Sequence, residues 1–201
     1  MIQQFKIFKE SSTWDEFHTL KSNNPKNPQL IYEREVDPKL DDLIYDLEPG
    51  AKILDLGCGD GTDSLYFQSK GFDVTALDLS SVVVDELNNK GVKSSVYDIS
   101  EANIPGNYDL IYSRLSLHYF DRFQLSQILN DIKNKLNDGG CLYFTVKSQS
   151  FKDKIETGKK FLHKKEWTKI LSYYFDDVLV EEHTGRLYNI PSQWLEFECY
   201  L

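Results

Sequence analysis

The chain has 201 residues, 40% of them hydrophobic, and a formal net charge of −9. That length suggests one domain of ordinary size with one sizeable core. The acidic balance argues against a nucleic-acid backbone as main partner, because phosphate binding needs clustered Lys and Arg, and no apolar run approaches the roughly twenty residues that span a membrane.

Residues 1–36 form the least regular segment. Met1 to Lys6 lacks the apolar stretch of a secretory leader. Ser12-Thr13-Trp14-Asp15-Glu16-Phe17 predicts a short helix with Ser12 or Thr13 as cap, and the Asn, Lys and Pro content of Ser22 to Pro28 predicts a loop. Asp37-Pro38 opens a helix with Asp as cap and Pro at the first helical position. Its apolar stripe is Leu40, Leu43, Ile44 and Leu47, and Pro49-Gly50 ends it.

The next stretch, Ile53-Leu54-Asp55-Leu56-Gly57-Cys58-Gly59-Asp60-Gly61-Thr62-Asp63, is the most informative. An apolar strand carrying a carboxylate breaks into a loop with three glycines and leads into Ser64-Leu65-Tyr66-Phe67, which suits a helix ending at Lys70-Gly71. A loop at the carboxyl end of the first parallel strand is where open α/β sheets bind nucleosides. The dinucleotide fingerprint is G-x-G-x-x-G, whereas this spacing is G-x-G-x-G, with Asp55, Asp60 and Asp63 around it. Carboxylates repel a pyrophosphate and attract a cationic, phosphate-free ligand. Cys58 inside the loop fits by small size at a tight turn rather than as a nucleophile.

Phe72 to Asp78 reads as a second buried strand ending in an acid, about twenty residues after the first glycine, where nucleoside-binding folds place a ribose-hydroxyl acceptor. Ser80 to Lys90 is helical, with serines suited to the cap and Gly91 as stop. Val92 to Tyr97 is a third strand, followed by Asp98-Ile99. Tyr108 to Ser113 is a fourth. Asp121 to Leu136 is a helix capped by Asp121, with Leu125, Ile128, Leu129, Ile132 and Leu136 on one face. Gly139-Gly140 is read as a turn and Cys141 to Val146 as strand five. His163 to Tyr174 is helical. Val178 to Glu182 and Trp194 to Tyr200 alternate as a closing pair of strands. Strands alternating with helices predict right-handed parallel crossovers. Lys159, Lys160, Lys164 and Lys165 read as a solvated helix face.

The three cysteines, Cys58, Cys141 and Cys199, form no disulfide framework and no metal pattern, which fits a reduced, cytoplasmic setting. His18, His163 and His183 show no ligand spacing with Cys or acid partners, so no metal is expected.

The D-x-G-x-G-x-G run from Asp55 to Gly61 resembles motif I of the class I S-adenosylmethionine-dependent methyltransferases. Tyr108 to Tyr119 resembles that family's fourth motif, and Gly139-Gly140 before an apolar strand resembles its post-helix motif. Pro191-Ser192-Gln193-Trp194 is loosely similar to the closing strand of small bacterial enzymes of the tellurite-resistance and thiopurine type. The resemblance covers residues 37–201 as the catalytic domain and leaves 1–36 as a lid. It implies a Rossmann-like α/β fold: a seven-stranded, mostly parallel sheet with an antiparallel last strand and helices on both faces.

It also implies S-adenosyl-L-methionine as cofactor, whose sulfonium and ammonium suit an acidic rim, and a small-molecule acceptor. The site implied is Asp55 toward the cationic amino-acid moiety, Gly57, Cys58, Gly59 and Gly61 for close backbone approach, and Asp78 on the ribose. Asp98 takes the adenine amine with Leu79 and Ile99 against the ring, and Ser113 and Arg114 lie near the methionine portion or the acceptor. His118 is the candidate base or acceptor contact, with packing beside Tyr119 and Phe120 as its plainer role. Tyr32, Arg34 and Trp14 fall in the covering segment. Arg34 is read as a surface ion pair or a partner of the methionine carboxylate. Two other readings compete with methyl transfer: a nicotinamide-dependent oxidoreductase and a non-catalytic binder of the same cofactor.

Overall fold

The structure, a computed structural model, describes residues 11–23, 35–148, 161–187 and 190–201. Helix α1 is Ser11–Asn23, and a single turn, α2, is Leu40–Leu43. The chain then alternates: β1 Lys52–Leu56, α3 Thr62–Ser69, β2 Asp73–Asp78, α4 Ser81–Asn89, β3 Lys93–Val96, β4 Tyr108–Arg114, α5 Arg122–Lys135 and β5 Leu136–Lys147. Helix α6 is Lys164–Leu171, and β6 Asp177–Leu187 and β7 Ile190–Tyr200 close the chain. Short 3-10 turns follow β3 at Ile99–Glu101 and β4 at Leu117–Tyr119.

The seven strands lie in the order β3-β2-β1-β4-β5-β7-β6. β1 to β5 pair in parallel, while β7 is antiparallel to both β5 and β6. Strands covered on both faces read as near-continuous apolar runs, and β1 is buried at each residue from Ile53 to Leu56. Alternate residues serve two cores. Leu54, Leu56, Ile111, Phe144 and Phe197 pack on the α5 and α6 side, whereas Ile53, Ala76, Tyr112 and Tyr143 pack against Phe67 and Leu87 on the other.

The expected elements are present, with differences of extent: β6 and β7 both run longer than the expected 178–182 and 194–200, and the helix expected over 163–174 ends at Leu171. The helix expected to run from Asp37 stops after one turn, with Lys39 at its cap. Its apolar residues still pack, Leu40 and Ile44 being buried; Asp37 Oδ1 accepts from the Lys39 amide at 3.1 Å while its Oδ2 accepts from Tyr112 of β4, and the chain continues as i→i+3 turns. Strand five starts at Leu136 rather than after Gly139-Gly140, because Leu136 already pairs with Tyr108 across a register shift. Helix α1 begins at Ser11, so Ser12 and Thr13 lie within it rather than capping it. Among the described residues no helix is long and apolar enough to cross a membrane.

Candidate functional site

The parallel sheet brings the carboxyl ends of β1, β2, β3 and β4 to one edge, with the glycine loop after β1 at its middle. The loop is shaped by positive φ at Gly57 (78°), Gly59 (58°) and Gly61 (73°), which L side chains adopt only with strain. A Cβ at Gly57 would lie 2.2 Å from Ser116 Oγ, and one at Gly61 would lie 2.1 Å from a Leu87 methyl. The loop is therefore pressed against both the turn after β4 and helix α4.

Its amides are committed within the protein. Gly57 and Cys58 both donate to the Leu77 carbonyl (2.7 and 3.1 Å), and Gly61 donates to that of Cys58 (3.1 Å). Gly59 donates to Asp78 Oδ2 (2.9 Å) and Thr62 to Asp60 Oδ1 (3.3 Å). The other oxygen of Asp78 accepts from the Ser80 amide at 2.9 Å. A carboxylate has about four lone-pair sites, so Asp78 keeps acceptor capacity toward the edge. Asp98 caps the following turn, its Oδ1 accepting from the Ser100 amide and hydroxyl (2.8 and 2.7 Å). Leu79 is half-buried, and Ile99 is buried with a methyl 3.5 Å from where a Gly57 Cβ would stand.

Other expected residues face inward. Asp55 is fully buried, and its Oδ2 accepts from Ser64 Oγ at 2.6 Å, tying β1 to the start of α3. The Cys58 side chain is buried in the apolar cluster with Leu40 and Phe67, so only its backbone borders the loop. Ser113 Oγ, also buried, donates to the Leu56 carbonyl (2.8 Å), and Ser116 Oγ donates to that of Gly57 (3.2 Å). Between them Leu115 has φ 59°, a left-handed backbone costing roughly 1–2 kcal/mol in a residue with a Cβ.

Arg114 projects into a polar knot. Its guanidinium lies 3.3 Å from Asp63 and 3.8 Å from Asp37 and donates to the Glu35 carbonyl at 2.9 Å. Tyr112 donates its hydroxyl toward Asp63 (2.9 Å) and Asp37 (3.2 Å), and the Asp37 amide reaches Asp63 at 3.1 Å. Asp63, expected to repel phosphate from the loop, is thus an internal partner of Arg114 with no exposed surface. The sequence signal for this knot was slight: Tyr112 and Arg114 share a face by the two-residue period, but nothing in the pattern brings Asp37 and Asp63 to them.

His118 lies in the turn after β4, its ring 4.4 Å from that of Tyr119 and 5.4 Å from that of Phe161, with both ring nitrogens buried. Tyr119 also meets Trp14 of α1, edge to face at 5.8 Å. At the other side of α1, Asp15 accepts from Ser80 Oγ (2.8 Å), Ser81 Oγ (3.2 Å) and the Val82 amide (3.3 Å) at the head of α4. Burial works to raise the Asp15 carboxyl, but these hydrogen bonds outweigh it and hold it below its ordinary 3.8. Helix α1 thereby bridges the segments that follow β2 and β4. Tyr32 and Arg34 lie outside the described residues.

A family profile described as "Tellurite resistance protein TehB" matches residues 37–192. A probable S-adenosyl-L-methionine-dependent methyltransferase TehB of Haemophilus influenzae is 38% identical over 95 residues, spanning 44% of this chain and 33% of that protein. A malonyl-[acyl-carrier protein] O-methyltransferase of Enterobacter lignolyticus is 33% identical over 99 residues, 48% of this chain and 39% of that one. The chain thus spans about a third of the length of these curated relatives. Among solved structures, TehB from Haemophilus influenzae superposes with a TM-score of 0.71 at 24% identity, covering 86% of this chain and 64% of that one. A TehB-like S-adenosylmethionine-dependent methyltransferase from Corynebacterium glutamicum gives 0.66 at 16% identity, covering 94% and 98%. At these identities the superpositions establish the shared fold.

Proposed function

This chain belongs to the TehB tellurite-resistance family, with a class I methyltransferase fold, and on that premise we propose that it transfers a methyl group from S-adenosylmethionine to a small-molecule acceptor, releasing S-adenosylhomocysteine. The cofactor, when bound, supplies an activated methyl on a sulfonium, so the protein's work is to bind, orient and exclude water. The observation that carries the reading is the state of the glycine loop. Its amides at Gly57, Cys58, Gly59, Gly61 and Thr62 are taken by internal acceptors. A diphosphate needs such amides pointing outward, which argues against the nicotinamide alternative. A phosphate-free nucleoside needs instead a hydroxyl acceptor and an apolar wall, and Asp78, Leu79, Asp98 and Ile99 offer both.

In this reading Asp78 accepts from the ribose hydroxyls, and Asp98 takes the adenine amine through the oxygen that Ser100 does not use. Leu79 and Ile99 flank the ring. The glycines permit backbone approach, Cys58 contributing by its backbone. Asp55, Ser113 and Arg114 act by holding the loop, α3 and the end of β4 in place. His118 stands on the acceptor side, as base or contact, and Trp14 with α1 makes residues 1–36 a lid over the edge. The acceptor atom is S, O, N or a metalloid. The relatives' names pair this fold with both tellurite resistance and O-methylation, and the sheet edge is compatible with either.

Calorimetric titration with S-adenosylmethionine and, separately, with NADH tests the reading. Binding of the first and not the second is expected, and the reverse overturns it. Asp78→Ala removes hydrogen bonds to a charged group worth about 1.5–3 kcal/mol, so affinity for S-adenosylmethionine should fall about 10- to 150-fold. Unchanged affinity removes Asp78 from the site. Binding with no turnover over a broad acceptor panel would favour a non-catalytic cofactor-binding protein.

A further inference from the structure

We infer that the β6–β7 hairpin carries a second site, for a single divalent transition-metal ion of zinc type, built from Glu181, His183 and Glu196. Glu181 of β6 lies directly opposite Glu196 of β7, and His183 lies two residues along β6 on the same face, opposite Trp194. His183 Nε2 is 3.3 Å from Glu196 Oε2 and 3.7 Å from Glu181 Oε2, and one donor atom from each residue falls within 4.8 Å of the others. Tetrahedral zinc with bonds of about 2.0–2.1 Å holds its ligand atoms about 3.4 Å apart. The two separations from His183 are close to that spacing, and small side-chain rotations of the glutamates would close the set.

Two further observations point to a ligand rather than to a simple ion pair. His183 Nε2 is buried and lies 3.3 Å from Glu196 Oε2 without a hydrogen bond of acceptable geometry, while the side chain as a whole is 32% exposed. The Glu196 side chain is 11% exposed, and a carboxylate largely removed from water needs a counter-charge close by. Tyr143, His183 and Lys39 favour its charged form and Asp37 opposes it, so the protein supplies part of that counter-charge itself. The imidazole lies flat on Trp194, with centroids 5.3 Å apart and planes within 17°, which fixes the ring orientation as an outer-shell partner does. Glu181 is exposed, giving the ion an entry side and leaving room for water as fourth ligand. One imidazole and two carboxylates suit zinc or its borderline neighbours.

No spacing motif announces this set. The donors come from two antiparallel strands and meet only through register, which is why the histidine pattern along the chain led to the opposite expectation. Glu196 also pairs with Thr145 and, through it, with Arg114. The ion would thus clamp the hairpin at the sheet edge that carries the glycine loop, two strands beyond β4.

The test is calorimetric titration of the metal-stripped full chain with zinc chloride, paired with the visible absorption of added cobalt(II). One equivalent at micromolar affinity is expected, with a d–d band of four- or five-coordinate cobalt. His183→Ala and Glu196→Gln should each weaken binding at least tenfold. Glu181→Gln, a surface change that leaves the fold alone, should also weaken it, and His163→Ala should not. Uptake that is unaltered in these three site variants, or weak and multi-site, overturns the proposal. So does cobalt that shows only the spectrum of the free hexaaquo ion.

Discussion

Arg114→Met is the sharpest test of how this edge is held together. The guanidinium sits between Asp63, with no exposed side-chain surface, and Asp37, with 9%, and is itself 15% exposed. Surface ion pairs contribute about 0–1 kcal/mol, but this arrangement is largely out of water. Removing one partner of a buried pair leaves an uncompensated charge and costs about 3–5 kcal/mol. Here two carboxylates bridged by one tyrosine hydroxyl would be left facing each other, and the Glu35 carbonyl would lose its donor. In a domain of this length about 2–4 °C is lost per kcal/mol, so the melting temperature should fall about 6–20 °C. Arg114→Lys keeps the charge and loses the fork geometry, so it should fall between wild type and Arg114→Met. Urea denaturation followed by circular dichroism reads both. A loss below about 1 kcal/mol for Arg114→Met would refute the reasoning, and would return the side chain to the ligand-facing role expected from its place at a strand end.

Gly61→Ala forces a left-handed residue, costing roughly 1–2 kcal/mol, and drives a Cβ into the buried Leu87. The urea midpoint should drop accordingly, and an unchanged midpoint would mean the loop is not pressed on α4. The Asp15 carboxyl is held below its ordinary 3.8 in the folded chain. Its contribution is therefore fully present above about pH 3.8, the unfolded value, and is lost as pH falls through the lower folded one. Amide exchange at Val82 and Val83 should quicken below that point, and Asp15→Ala should show the quickened rate at neutral pH already. Burial raises the Cys141 thiol to about 11, so roughly one molecule in a thousand is thiolate at pH 8, and Cys58 and Cys199 have no exposed surface. A disulfide reagent should label the native protein slowly and the urea-unfolded protein at once; fast native labelling would contradict this packing.

What the sequence made legible was whatever is written in short range. The glycine loop, the acids closing β2 and following β3, and the caps at Ser80 and Asp121 are each encoded within a few neighbouring residues, and so is the alternation that yields a mostly parallel sheet. What was not legible depends on partners far apart in the chain. Asp37 meets Tyr112 across 75 positions and Asp15 meets Ser80 across 65. No periodicity encodes such meetings. The first divides the Asp37 carboxylate between the Lys39 amide it was expected to cap and Tyr112, and the second converts an exposed-looking acid into the clasp of α1. Likewise Asn137-Asp138-Gly139-Gly140 has turn composition, yet Leu136 is already paired with Tyr108. Pairing with an existing strand overrode local preference.

The acids expected to set the charge of the loop do not all border it. Counting acids along the sequence assigned the repulsion of phosphate to Asp55, Asp60 and Asp63. Asp55, bonded to Ser64, and Asp63, paired with Arg114, are fully buried and do not face the edge, whereas Asp60 is half-buried in the loop itself. In the proposed function selectivity rests also on donors already taken, above all the Gly59 amide, which points at Asp78. On that proposal one carboxylate does two jobs: it closes the loop to an anion and keeps lone pairs for hydroxyls. That is a stronger discrimination than net charge, because salt screens a distant acid but does not free an amide that is already hydrogen-bonded.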